Sequence, residues 1–321
     1  YSRDYGKTWK IVTKPSGSDV DFDCFANDLS LSVIHGLENF YYFQDVSSDF
    51  INNTDSEQTS DIAKRFIFKY GLNTYRVFTF SDKNTTGINK RYTVDISFND
   101  DQSINKAPLN FDVGSDSADI SFNSIQSIDG KRDSGNATEY LYLAGNDNDL
   151  SGAIYKIEHT AGLATINDPL LYTNPNISTY TSIKYFDNGS VSHVLAVGGN
   201  YITRSSVPND DNSYADHVIG SLTNIVSLND VFIYDASNAI VVGDEAKIFY
   251  SNNYLNDEWH ELSSSMINSM GNELSLFDTS IDIVTVHMID DSSTFIFGCV
   301  LSDNQSKIFH CHFPGLFHKE S

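Results

Sequence analysis

Four stretches of this 321-residue chain repeat one pattern, and their spacing constrains the fold more than any other feature. Each has an apolar run, a glycine, a short polar segment and a second run with aromatic or aliphatic residues. They are residues 140–145 with 153–157, 194–198 with 201–204, 239–243 with 247–250, and 295–298 with 307–310. The glycines are Gly145, Gly198, Gly243 and Gly298, spaced by 53, 45 and 55 residues. An apolar run precedes each repeat, at residues 120–128, 181–186, 225–234 and 283–289, and reads as a first strand. A period of this length fits a repeated antiparallel sheet of four strands with variable loops.

The first part of the chain carries a weaker form of the pattern. Residues 21–27, 31–35 and 39–44 read as three strands of one sheet. Residues 63–70, 75–80 and 91–98 read as three of the next, with 109–113 as its fourth. Polar insertions are expected at 47–60 and 100–106, inside the array. Composition agrees with an all-β chain: 21 Phe and 18 Tyr favour strands, and 40% hydrophobic residues can furnish a large core. One short helix is expected at 263–277. No linker or shift in composition divides residues 1–321, so a single domain of six sheets is expected.

Ser2-Arg3-Asp4-Tyr5-Gly6-Lys7-Thr8-Trp9 adds a local signature. It resembles the Asp-box, or BNR repeat, Ser-x-Asp-x-Gly-x-Thr-Trp. That motif is a tight hairpin loop: the Asp side chain accepts backbone N–H bonds, the Gly takes a positive φ and the Trp lies over the turn. Ser251, Asn253 and Trp259 form a degenerate copy that lacks the Gly and places its Trp one residue late. The chain thus resembles the Asp-box β-propellers of the sialidase-like and photosystem II assembly factor-like superfamily. The resemblance implies one propeller of four-stranded blades, with Ser2, Asp4, Gly6, Trp9, Ser251, Asn253 and Trp259 as structural residues on its rim. If residues 10–13 complete the last blade, the ring has six blades. If the chain is a fragment that opens inside its own blade, seven are expected.

Charge and cysteine content restrict the partners. A formal charge of −23 repels phosphate backbones and anionic lipid surfaces, so neither nucleic acid nor membrane insertion is expected. Cys24, Cys299 and Cys311 show no Cys-x-x-Cys spacing, which excludes a zinc ribbon. Cys299 and Cys311 fall on adjacent strands, where both a disulfide and buried free thiols fit. Sequons begin at Asn52, Asn84, Asn136, Asn176, Asn188 and Asn304, as many as the Asn, Ser and Thr content gives by chance. An extracellular, periplasmic or surface-assembly setting is the expected one.

Chemistry is sparsely signalled. The resemblance to sialidases would imply a Phe/Tyr-Arg-Ile-Pro motif and a convergent arginine triad. The motif is absent and the chain has six arginines, one of them Arg3 inside the box. A different glycosidase needs a carboxylate pair, and Asp244 with Glu245 in one hairpin loop is a candidate position. Asp147, Asp149, Ser151 and Glu158 match the calcium-loop spacing Asp-x-Asp-x-Ser-Gly-x5-Glu, so Ca²⁺ is the candidate ion and no other cofactor is required. An Asp/Asn-rich hairpin turn explains the same residues. His310, His312 and His318 cluster near the end of the chain without metal-ligand spacing. With no catalytic constellation in view, the expected function is a non-catalytic binding or assembly module for a protein or glycan partner. The alternative is a glycoside hydrolase acting on a neutral polysaccharide.

Overall fold

The structure is a computed structural model. It describes residues 23–28, 31–35, 39–43, 51–54, 62–69, 74–81, 91–98, 104–112, 122–133, 138–160, 170–219, 227–262, 281–288, 294–301, 305–313 and 316. The box at Ser2–Trp9, the strand at 10–13, the helix at 263–277 and His318 lie outside the described residues. Among the described residues the regular structure is β-strand, apart from two single 3-10 turns.

Contacts gather into two compact units, with Trp9–Ile125 forming most of one and Gln126–Ser321 most of the other. The first unit holds two antiparallel meanders. One is β1 (Asp23–Asp28), β2 (Leu31–His35), β3 (Asn39–Phe43) and β4 (Ile51–Thr54). The other is β5 (Ile62–Lys69), β6 (Thr74–Ser81), β7 (Arg91–Phe98) and β8 (Ile104–Asp112). Arg76, Phe78 and Phe80 alternate along β6 and are all buried, so one face of this central strand is covered. The expected insertions at 47–60 and 100–106 are in part strand. β4 reads Ile-Asn-Asn-Thr, and as an outermost strand it pairs on one side only, so its sequence carries little apolar signal.

The second unit holds the clearer repeats. β9 (Phe122–Asp133), β10 (Thr138–Asp147), β11 (Gly152–Thr160) and β12 (Leu170–Asn174) form one sheet. β13 (Ser182–Asp187), β14 (Ser192–Gly198), β15 (Tyr201–Ser205) and β16 (Ala215–Val218) form the next. β17 (Leu228–Ile233), β18 (Ala239–Gly243), β19 (Ile248–Asn253) and β20 (Glu258–Glu261) follow. β21 (Ile281–Met288), β22 (Thr294–Leu301) and β23 (Ser306–His312) form a sheet of three strands among the described residues.

Successive sheets of this unit stack face to face. Ala144 and Ile154 meet Val194 and Ala196 in one core; Leu195 and Val197 meet Val231 and Val241 in the next; Ile240 and Val242 meet Ile283 and Phe297 in a third. The second strands β10, β14 and β18 are therefore covered on both faces. β18, Ala-Ile-Val-Val-Gly, is buried at all five positions. This explains why second strands read as continuous apolar runs and not as alternating ones.

The recurring glycine has a steric cause. A Cβ on Gly243 would lie 2.2 Å from the Ser227 carbonyl oxygen, and one on Gly198 would lie 2.4 Å from that of Thr179. In these two sheets the backbone entering the first strand crosses the end of the second too closely for any side chain, and a Cβ on Gly298 would meet the Thr285 methyl at 2.7 Å.

Candidate functional site

First strands of the second unit carry polar side chains on one face, and these converge. Ser182 Oγ donates to Asp230 Oδ1 at 2.6 Å, and Thr285 Oγ1 donates to Asp230 Oδ2 at 2.8 Å. The Val231 N–H reaches Oδ1 at 2.9 Å and the Val286 N–H reaches Oδ2 at 3.0 Å. One carboxylate on β17 thus joins β13 and β21, and each of its oxygens holds one hydroxyl and one backbone donor. Two residues further along their strands, and so on the same face, lie Lys184, Phe232 and His287. Bulges align these levels: the register shifts between Leu228 and Asp230 on β17 and between Ile283 and Thr285 on β21.

β9 contributes Asp129. Its Oδ1 accepts the Gly130 N–H and its Oδ2 the Tyr185 N–H, both at 2.9 Å. Desolvation raises its pKa, against the opposing pull of Lys184 and of the two backbone bonds. Asp129, Lys184, Asp230, Phe232, Thr285 and His287 line a cleft of about 370 Å³. Phe232 and His287 meet edge to face at 5.2 Å. Desolvation and the charge of Lys184 hold the His287 pKa below its ordinary value. The Lys184 ammonium has no hydrogen bond or ion pair among the described residues, although it lies within electrostatic range of Asp129 and His287.

The residues singled out in the sequence lie elsewhere. Asp147, Asp149 and Ser151 share the β10–β11 turn, where Asp147 Oδ1 accepts the N–H of Asp149 and of Ser151, both at 2.9 Å. Glu158 does not join them. It pairs with Tyr140 six residues along β11 from Gly152, roughly 20 Å away at strand rise, and holds Lys156 Nζ at 3.3 Å. Among the described residues no three His, Cys, Asp or Glu side chains gather as a metal site would require. His310 and His312 are exposed on β23.

Asp244 and Glu245 occupy the β18–β19 turn, where Glu245 and Ala246 have φ of 54° and 55°. Lys247 N–H closes the turn on the Asp244 carbonyl at 3.1 Å, as in a type I′ turn. Asn229 Nδ2 donates to Asp244 at 2.8 Å, and Asp282 accepts the Glu245 N–H at 3.2 Å. Desolvation, with Asp282 and Glu245 close by, raises the pKa of Asp244 despite the Asn229 bond.

In the degenerate box, Ser251 is buried and its Oγ accepts the Asn253 N–H at 3.0 Å. The register of this hairpin shifts between Ser251 and Asn253, and Asp257 takes φ +60° and is gripped bidentately by Arg204 of the neighbouring sheet. Trp259 packs against the core that holds Tyr254. Cys299 pairs with Lys307 and Cys311 with Phe295, so four residues of register separate the two thiols. Both are free and buried, and burial pushes each up to about 12. Of the two alternatives for this pair, the free thiols are the ones present.

Sequence reasoning missed Asp129, Lys184, Asp230 and His287. The signal was the alternation of polar residues inside strands otherwise read as apolar, as in Ser127-Ile128-Asp129 and Ser182-Ile183-Lys184.

These meanders of four-stranded sheets, stacked face to face with the cleft on their first strands, are those of a β-propeller. The solved structures similar to this chain are propellers too. YCF48 from Cyanidioschyzon merolae has a TM-score of 0.57 at 12% identity, over 97% of this chain and 87% of that one. YCF48 bound to D1 peptide has 0.58 at 11%, over 96% and 82%. An alpha-L-arabinanase from Penicillium chrysogenum, complexed with arabinobiose, has 0.52 at 10%, over 88% and 89%. At such identities the likeness is one of fold. No family model matches the sequence, and no curated protein matches it. Among the described residues no helix is long and apolar enough to cross a membrane.

Proposed function

We propose that this propeller is a non-catalytic binding module that takes a segment of a partner, protein or glycan, into the cleft on its first strands. The observation that carries this reading is the state of the two cleft carboxylates. Both oxygens of Asp230 are occupied twice over by donors from three strands, which closes one member of the pair, while each oxygen of Asp129 holds one backbone N–H and keeps one acceptor site. A nucleophile or general base needs an oxygen open toward substrate. Lys184, by contrast, presents an ammonium to the cleft with no hydrogen bond or ion pair among the described residues. The neighbours support either kind of ligand: one was solved with a peptide and one with a disaccharide. Six sheets in meander order among the described residues further support a propeller of four-stranded blades.

The second reading is a glycoside hydrolase. It is favoured by two carboxylates in one cleft, one of them with a raised pKa. Panels of peptides, glycans and chromogenic glycosides separate the two. Binding that disappears in Lys184→Ala at unchanged melting temperature supports the module. Turnover that survives repurification and disappears in Asp129→Asn overturns it.

A further inference from the structure

The β13–β14 hairpin turns through Asp187-Asn188-Gly189-Ser190-Val191, and Asn188–Gly189 is the one Asn-Gly pair in the chain. Asn188, Gly189 and Ser190 are exposed. Gly189 has φ +86°, with open space where a Cβ would stand, so no side chain crowds the backbone that follows Asn188.

Three hydrogen bonds organise this tip. Asn188 Oδ1 accepts the N–H of Ser190 and of Val191, both at 3.0 Å. Two donors fix the amide with its oxygen toward the backbone, and they polarise Cγ as donors around a developing oxyanion do. The Gly189 N–H donates to Asp187 Oδ1 at 2.6 Å. The other oxygen, Asp187 Oδ2, accepts from Lys131 Nζ at 2.5 Å and from the Tyr185 hydroxyl at 2.8 Å. Partial burial works against ionisation of Asp187, but its bonds with Lys131, Tyr185 and Gly189 outweigh it and hold the carboxylate charged.

We propose that Asn188 is a site of self-catalysed deamidation, in which Asp187 is the base and the Ser190 and Val191 N–H groups receive the oxyanion. Asp187 takes the proton of the Gly189 nitrogen, and that nitrogen bonds to Asn188 Cγ. The Cγ–Nδ2 bond then breaks, and the amide nitrogen leaves with that proton as ammonia. The resulting succinimide is opened by water at either carbonyl, which gives aspartate or isoaspartate. No oxidant, metal or cofactor enters the balance. Either product adds a negative charge beside Asp187, and isoaspartate lengthens the backbone at a two-strand turn.

The full chain is incubated folded and unfolded in urea at one pH and temperature. The peptide carrying residue 188 is then followed for the gain of one mass unit and for isoaspartate. The folded chain should convert faster than the unfolded chain by roughly a hundredfold or more, the low end of what a positioned base supplies. Asp187→Ala should remove most of that advantage. The unfolded reference shares the sequence and lacks the geometry, so the comparison stands even if the variant loosens the hairpin. A folded rate at or below the unfolded rate overturns the proposal, as does a folded Asp187→Ala chain that converts as fast as the parent.

Discussion

Replacing Asp230 by Asn tests whether this carboxylate is a structural tie. Each of its oxygens accepts one hydroxyl and one backbone N–H. An amide can keep both bonds at its oxygen. At its nitrogen the hydroxyl can rotate and accept, but the backbone N–H cannot. Whichever way the amide is turned, either Val231 or Val286 loses its acceptor inside the protein. One buried unsatisfied donor costs about 1–3 kcal/mol, and weakening the surviving charge-assisted bonds adds about 1 kcal/mol. Removing a desolvated charge works in the opposite direction, so about 2–3 kcal/mol of net destabilisation is expected. Asp230→Ala orphans both backbone donors and should cost about 1–2 kcal/mol more. The assay is urea unfolding followed by tryptophan fluorescence and circular dichroism, with the slope m compared between chains. An Asn variant within about 0.5 kcal/mol of the parent, an ordinary surface effect, would refute the tie.

Other perturbations follow from described geometry. Glu245→Asn places a residue that tolerates the left-handed region at the strained β18–β19 turn and removes a charge beside Asp244; it should stabilise by about 0.5–1 kcal/mol in thermal unfolding. His193 is buried, its Nδ1 is 2.6 Å from the Tyr254 hydroxyl, and burial lowers its pKa. The unfolded chain therefore binds this proton first. Its contribution to stability should be whole above about pH 6.5 and fade as pH falls through the folded value, a decline that His193→Gln should flatten. Melting curves in Ca²⁺ and in EDTA should coincide, because Glu158 is remote from the Asp147 turn; a metal-dependent rise that Asp149→Ala removes would contradict this.

Much of this fold is legible in the sequence, for reasons that can be traced. Second strands such as Val194–Gly198 and Ala239–Gly243 are covered on both faces, so burial writes itself as an unbroken apolar run ending in a sterically required glycine. Outer strands such as β16 (Ala-Asp-His-Val) and β20 (Glu-Trp-His-Glu) are only partly covered and look like loops. The cleft is illegible for another reason. Asp230 and Thr285 share a level with Ser182 only because each follows a bulge, and a one-residue shift moves a side chain to the opposite face. The calcium-loop spacing counts residues as a helix-flanked loop would. Here the intervening residues run along a strand at more than twice the helical rise, which carries Glu158 away.

The tie at Asp230 also bears on how the chain is made. Ribosomal synthesis delivers β17 and its carboxylate before Thr285 and Val286 exist. Until that later sheet arrives, one face of β18 stays wet and the carboxylate lacks two of its four donors. A nascent chain halted after residue 262 would thus present an apolar Ile240–Val242 face to any chaperone or to another copy of itself. Arrival of β21 dries the apolar surface and completes the carboxylate in a single event, so this later sheet acts as the quality check on the one before it.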